Sequence, residues 1–177
     1  NRVDVDFECK GLIGKFFRSK KFFAVYSGCN IEHVPEHILV IPFLSTVYSL
    51  AWANRADIYV PCIDQTFLAA LKKNKAVFQK YYPTIPFRGN IIPEKTVNTQ
   101  SQEGKNKKAM VLFSGGIDSM STFVSHYKEK PIVVSVFGAD ITLDKQEEWA
   151  TKTKDFKKFT AKNKAEFRVI QSNFYDM

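Results

Sequence analysis

Apolar and polar residues alternate with a period of two along Arg2-Val-Asp-Val-Asp-Phe-Glu8, which predicts a strand. Lys21-Phe-Phe-Ala-Val-Tyr26 is rich in strand formers, and Gly11 and Gly14 in the connection predict an antiparallel hairpin. Ile38-Leu-Val-Ile41 reads as a buried strand. Pro42 follows, where a helix can start without missing the absent N–H, and Leu44, Val47, Tyr48, Ala51 and Trp52 recur at helical spacing through Phe43 to Asn54. Asp57-Ile-Tyr-Val60 returns as a strand. Asp64 is then placed to cap a helix carrying Phe67, Leu68 and Leu71, with Val77 and Phe78 extending its apolar face. This strand–helix–strand–helix order predicts a small α/β unit with parallel pairing.

Pro83, Pro86, Gly89 and Pro93 then interrupt the periodicity, and the polar stretch from Asn98 to Lys108 reads as a linker or exposed loop. A second pattern begins at Ala109-Met-Val-Leu-Phe113, a continuous apolar run expected of a strand buried on both faces. A glycine turn follows, then a helix through Met120, Phe123, Val124 and Tyr127. Pro131 introduces the strand Ile132–Phe137. A lysine-rich helix is expected from Asp144 toward Asn163, with Trp149, Phe156 and Phe159 facing inward, and Phe167-Arg-Val-Ile170 supplies a third strand. Right-handed crossovers assemble such an order into a parallel sheet with covering helices. The chain as a whole reads as α/β, with a smaller α/β domain over 1–97, a linker over 98–108 and a parallel-sheet domain over 109–177.

Composition narrows the function classes. A hydrophobic share of 45% with sixteen Phe supplies material for a folded core, so disorder is not the default reading. The net charge of +8 draws anions, whether nucleotide, nucleic acid or membrane surface, but lysines spread over helix faces also serve solubility alone. Cys9, Cys29 and Cys62 are odd in number, far apart and without a C-x-x-C pair, which argues against a disulfide framework and for the cytoplasm. The longest apolar candidate for a membrane span, Ile38 to Ala53, is interrupted by Pro42 and contains Ser45, Thr46 and Ser49, so no membrane partner is expected. The opening at Asn1 does not read as a signal peptide.

The chemistry concentrates in Ser114-Gly-Gly-Ile-Asp-Ser119, between a predicted strand and a predicted helix. A nucleoside triphosphate needs N–H donors aimed at its oxygens and a backbone that can be approached closely. Gly115 and Gly116 allow that approach, and a helix starting near Ile117 turns its unpaired N–H groups and positive dipole end toward a phosphate. Ser114 and Ser119 can donate hydroxyl hydrogen bonds from the flanks. Asp118 repels a bare phosphate, so two roles are open to it: capping the helix, or helping to hold a Mg²⁺ that bridges phosphate oxygens.

These residues resemble the signature of the N-type ATP pyrophosphatases, the PP-loop family, which reads S-G-G-x-D-S after a first strand. Ser114, Gly115, Gly116, Asp118 and Ser119 match every defined position, with Ile117 at the free one. The resemblance implies an adenine nucleotide alpha hydrolase-like fold that binds ATP with Mg²⁺ and cleaves ATP between its α and β phosphates. In that family AMP passes to a carbonyl or carboxylate oxygen of a small-molecule or nucleobase substrate, and a nucleophile then displaces it. Asp118 and Ser119 become the candidate catalytic residues, and Asp118 the candidate metal ligand. Members include GMP, NAD, asparagine and argininosuccinate synthetases, tRNA thiolation and lysidine enzymes, and 7-cyano-7-deazaguanine synthase, whose branch the resemblance extends to. The match covers only 109–177, so the resemblance implies the first half of such a domain and an incomplete sheet. It also places adenine and ribose at the turn after the second strand, Phe137-Gly-Ala-Asp-Ile141. There Gly138 can permit close approach and Asp140 can meet a ribose hydroxyl or a substrate amine, unless Asp140 or Asp144 simply caps the next helix.

Other patterns carry less. Gly11-Leu-Ile-Gly-Lys15 has the look of a Walker loop, but Phe16 stands where Ser or Thr is required. There is no G-x-S-x-G elbow to make Ser114 or Ser119 a hydrolase nucleophile. Cys29, His33 and His37 fall at intervals of four, but Pro35 opposes a continuous helix there and a fourth zinc ligand is not evident. Phe16, Phe17, Phe22 and Phe23 among Arg18, Lys20 and Lys21 would suit base stacking by a nucleic-acid binder, though strand alternation sends half of such rings into a core. Three function classes follow: an adenylating ATP-dependent ligase or synthetase, a non-catalytic ATP-sensing or partner-binding module, and an adenylyl-sulfate reductase-like enzyme. Ile117 argues against the last, because that group reads Lys there.

Overall fold

The computed structural model describes residues 1–99 and 108–177. Most of the stretch read as a linker therefore lies outside the described residues. The chain forms β1 (Arg2–Asp6), a 3₁₀ turn (Gly11–Phe16), β2 (Lys21–Tyr26), α1 (Glu36–Leu39), α2 (Ile41–Ala53), β3 (Ile58–Asp64), α3 (Gln65–Tyr81), β4 (Ile91–Val97), β5 (Met110–Leu112), α4 (Ile117–Ser125), β6 (Ile132–Phe137), α5 (Gln146–Lys162) and β7 (Glu166–Ser172). The class is α/β, with a five-stranded sheet in the order β1-β2-β7-β6-β5 and a two-stranded sheet of β3 and β4. Two compact units result. One comprises the described residues of Asn1–Asp4, Phe22–Glu32 and Glu103–Met177, and the other those of Val5–Lys21 and His33–Gln102. The division therefore differs from a single cut near residue 98, because both arms of the N-terminal hairpin contribute residues to the five-stranded sheet.

In the first unit β5, β6 and β7 run parallel, with Val111 opposite Val133 and Val133 opposite Phe167. Strand β2 joins β7 antiparallel, Ala24 facing Ser172, so the sheet is mixed. Tyr26 N–H donates to Asn1 O at 2.8 Å, which ties the start of β1 to the end of β2. α4 and α5 meet the face that carries Val111 and Phe113. Phe123 and Phe156 are buried there with Val133, and Met120, Phe159 and Phe167 pack around them. Phe113 is the hub: its ring lies edge-on to Phe156 at 5.1 Å and stacks on Phe159 at 5.3 Å. Each such side chain stabilises the unit by about 1.5–3 kcal/mol through removal of apolar surface from water. The expectation that the 109–113 strand is buried on both faces is corrected. Met110 and Leu112 are 65% and 70% exposed, because β5 is the edge strand and the helices contact only its Val111 face.

The second unit is built on β3 and β4, parallel through the α3 crossover, with Ile58 opposite Ile91 and Asp64 opposite Val97. Trp52, Leu71 and Phe87 form its buried cluster, ringed by Tyr48, Phe67, Phe78 and Ile91. Two expectations fail here. The run Ile38–Ile41 is helical, not a strand: Pro35 caps α1 in an extended conformation, Val40 sits at φ −75°, ψ −17°, and its N–H donates to Glu36 O at 3.0 Å. A four-residue apolar run fits either state, and the surrounding chain decides. The proline-interrupted segment after α3 contains β4, which was not foreseen. Pro61 and Pro93 are tolerated because a two-stranded sheet leaves each strand an open edge that asks for no donor. The tip of the hairpin belongs to this unit, with the Phe7 ring 5.1 Å from both Phe17 and Phe43. The N-terminal aromatic residues thus divide: Phe22 is buried and Phe23 lies under the Arg2 guanidinium at 4.4 Å, whereas Phe16 is exposed.

Candidate functional site

The end of β5 is fixed before the glycine turn begins. Phe113 N–H donates to Val134 O at 2.7 Å, the buried Ser135 hydroxyl donates to Phe113 O, and the Phe113 ring is held in the core. Ser114 leaves the sheet, Gly115 turns the chain at φ +81°, and Gly116 at φ −79°, ψ 172° leads into α4. The two glycines differ in what demands them. A Cβ on Gly115 would stand 2.8 Å from Phe156 Cε1, in a conformation that L side chains avoid, so the fold needs this glycine. A Cβ on Gly116 would meet only Ser114 Oγ, at an ordinary 3.5 Å, and its φ suits any residue. Packing therefore does not explain the second glycine, and the backbone there is open to close approach.

Among the described residues no side chain caps α4. The N–H groups of Ile117, Asp118 and Ser119 have no acceptor among the described residues, and the first intrahelical donor is Met120, bonded to Gly116 O at 3.0 Å. The two hydroxyls are brought together across the turn. Ser119 Oγ donates to Gly116 O at 3.0 Å, Ser114 Oγ accepts from Gly116 N–H at 3.4 Å, and the oxygens are 3.5 Å apart. Asp118 is exposed in the first turn of α4, where its charge complements the helix dipole without capping it. Ile117, at the free position of the motif, is 88% exposed. The result is a turn with unpaired N–H donors, two hydroxyls and an unobstructed glycine, an arrangement suited to phosphate oxygens.

A cavity of about 220 Å³ opens beside Ser114, at the C-terminal ends of β5 and β6. Asp140, Trp149, Lys152 and Phe156 stand on its wall, and the Trp149 ring is stacked on Phe137 at 4.8 Å and 9°. Ser114 and Asp140, both singled out from sequence, thus share one cavity. Gly138 does not line it. Its φ is +94° and a Cβ there would lie 1.8 Å from Ser172 O, so its freedom serves the close passage of the chain leaving β7. Neither Asp140 nor Asp144 caps α5, which begins after Lys145 with no side-chain cap. The Asp144 carboxyl is held below its usual value mainly by the Thr142 hydroxyl. Lys152 escaped the sequence reading because it looks like one more lysine on a lysine-rich helix. Its signal is its spacing, three residues after Trp149 and four before Phe156, on the stripe that faces the sheet.

The donor set fits the groups the motif implies. The free N–H groups and the open Gly116 suit a polyphosphate, and Asp118 is the one carboxylate of the turn. Mg²⁺ commonly takes one or two carboxylates together with substrate phosphates and waters, so Asp118 would hold it and phosphate oxygens would complete the shell. Among the described residues no three His, Cys, Asp or Glu side chains gather to hold a metal by themselves, Cys29, His33 and His37 included. Among the described residues no helix is long and apolar enough to cross a membrane. Compared with protein-family models, with curated proteins and with solved structures, the chain finds no match.

Proposed function

We propose that the turn from Ser114 to Ser119 binds ATP and that the protein is an ATP-dependent adenylating enzyme of the N-type ATP pyrophosphatase kind, on an adenine nucleotide alpha hydrolase-like fold. The observation that carries this reading is Gly116. It is a glycine that neither backbone strain nor packing requires, placed where three N–H groups lack acceptors and where the matching residues Ser114 and Ser119 converge. In this reading the turn holds the β and γ phosphates that leave as pyrophosphate, and the cavity beside Asp140 takes part of the nucleoside. Its 220 Å³ falls below the roughly 300–1,000 Å³ of a site that encloses a drug-sized ligand, so the phosphates lie outside it, over the turn. Mg²⁺ on Asp118 would supply charge neutralisation of the phosphates. The oxygen of a carbonyl or carboxylate substrate attacks the α phosphorus, the bond to the bridging oxygen breaks, and pyrophosphate departs with the electron pair.

The test is product identity. ATP and Mg²⁺ supplied to the protein with candidate carbonyl and carboxylate substrates should yield pyrophosphate and AMP or an adenylated product, separated by anion-exchange chromatography. ADP and orthophosphate in their place would overturn the α-phosphate assignment even where ATP binds. ATP binding without pyrophosphate release for any acceptor would instead favour a sensing module.

A further inference from the structure

We propose that Lys152 is the phosphate-neutralising residue of this site, reaching the triphosphate from α5. The proposal rests on the nucleotide reading above and adds a residue that lies outside the matching motif. Three observations carry it. First, Trp149, Lys152, Phe156 and Phe159 follow one another at steps of three, four and three along α5, which puts them on one face of the helix. The three aromatic members are engaged with the sheet: Trp149 on Phe137, and Phe156 and Phe159 on Phe113. Lys152 shares that face but is exposed, and it stands on the wall of the cavity with Trp149 and Phe156.

Second, this stretch of α5 is the one that touches the turn. Phe156 packs so closely under Gly115 that a Cβ there would clash with its ring. Lys152 is one helical turn, about 5–6 Å, toward the N-terminus from Phe156, and helical side chains lean in that direction. Lys152 and Ser114 line the same cavity, and the flexible four-carbon stem of the lysine gives its ammonium reach toward the turn.

Third, the charges of the site do not balance without it. The donors of the turn are neutral N–H and O–H groups, while Asp118 in the turn and Asp140 at the cavity both repel a polyphosphate. Lys152 is the one cation among the cavity residues. Lys145, just before α5, lies 3.8 Å from Glu148, and Lys158 within it lies 3.8 Å from Asp155. Lys152 makes no ion pair among the described residues, so its charge is available to a ligand.

Calorimetric titration of the chain and of Lys152→Gln, Lys152→Arg and Gly116→Val with inorganic pyrophosphate, ATP and adenosine, at low and high salt, tests the assignment. Lys152→Gln should weaken pyrophosphate and ATP about tenfold at low salt, less at high salt, and leave adenosine unchanged, while Lys152→Arg retains most of the affinity. Equal pyrophosphate affinity of wild type and Lys152→Gln, with binding lost in Gly116→Val, overturns the role of Lys152 and leaves the turn standing. An equal loss for adenosine and pyrophosphate overturns it too, since it would place Lys152 on the nucleoside. Wild type without affinity for pyrophosphate or ATP overturns both proposals together.

Discussion

Two strand-to-helix junctions in this chain have nearly the same backbone and opposite fates. At the end of β3, Asp64 sits at φ −67°, ψ 133° before α3, and at the end of β5, Gly116 sits at φ −79°, ψ 172° before α4. Asp64 is buried and its Oδ1 accepts the Phe67 N–H at 2.8 Å. Burial alone would raise its pKa, but the Thr99 hydroxyl and the N–H groups of Phe67, Thr99 and Thr66 favour the charge and hold it below the usual carboxylate value. That junction has filled its own anion site. The other carries no cap and keeps its N–H groups free. Every strand-to-helix junction of an α/β unit makes an electropositive helix start, and one side chain decides whether it is sealed by the protein or left for a ligand.

The sharpest way to break the contrast is to seal the second junction in the manner of the first. Gly116→Asp fits its surroundings, since its φ is ordinary and its Cβ would meet only Ser114 Oγ at 3.5 Å. The new carboxylate should cap α4 and raise stability by a few tenths of a kcal/mol. It should also abolish nucleotide binding, by at least about a hundredfold, because like charges brought together cost several kcal/mol. Calorimetry with ATP beside a thermal melt measures both. Retained affinity would remove the α4 start from the site.

Opening the first junction should give a smaller effect, on stability alone. Asp64→Ala leaves the Phe67 N–H without its partner and should cost about 2 kcal/mol in urea denaturation, with pyrophosphate affinity unchanged. The pH dependence has a definite sign. Because the folded pKa lies below the unfolded value of about 3.9, the stabilisation is complete above that pH and is lost as pH falls through the folded value. Asp64→Asn caps almost as well and should flatten that acid limb. An acid limb identical in wild type and Asp64→Asn would show that other carboxylates set it.

The two junctions also show what a sequence can reveal. Asp64 before Phe67, Leu68 and Leu71 announced its cap, and an apolar run followed by Gly-Gly announced the turn, because both are local chemistry. What stayed hidden depended on partners remote in sequence. Ile38–Ile41 fits strand or helix until its neighbours choose. Pro93 looks like a strand breaker unless the strand has an open edge. Met110 and Leu112 look like core residues unless their strand is an edge covered on one face only. Gly138 signals close approach without saying what approaches, and the answer is Ser172.

The smallest expected effects lie within the open junction and separate its two polar side chains. Ser119 would donate to a charged oxygen, a bond worth about 1.5–3 kcal/mol, but it must first give up its 3.0 Å bond to Gly116 O. The net loss in Ser119→Ala is therefore about 1 kcal/mol, roughly fivefold in affinity, for ATP and pyrophosphate alike and with or without metal. Asp118 makes no cap and faces solvent, so removing its charge leaves the start of α4 intact. In Asp118→Asn the metal-free affinity should hold or rise slightly, since a repulsion is gone, while any Mg²⁺-dependent turnover should fall. Affinities measured with and without Mg²⁺ for both variants, alongside turnover, separate the two. If Asp118→Asn turns over ATP normally with Mg²⁺, the carboxylate does not hold the metal, and its contribution reduces to the favourable charge it places on the first turn of α4.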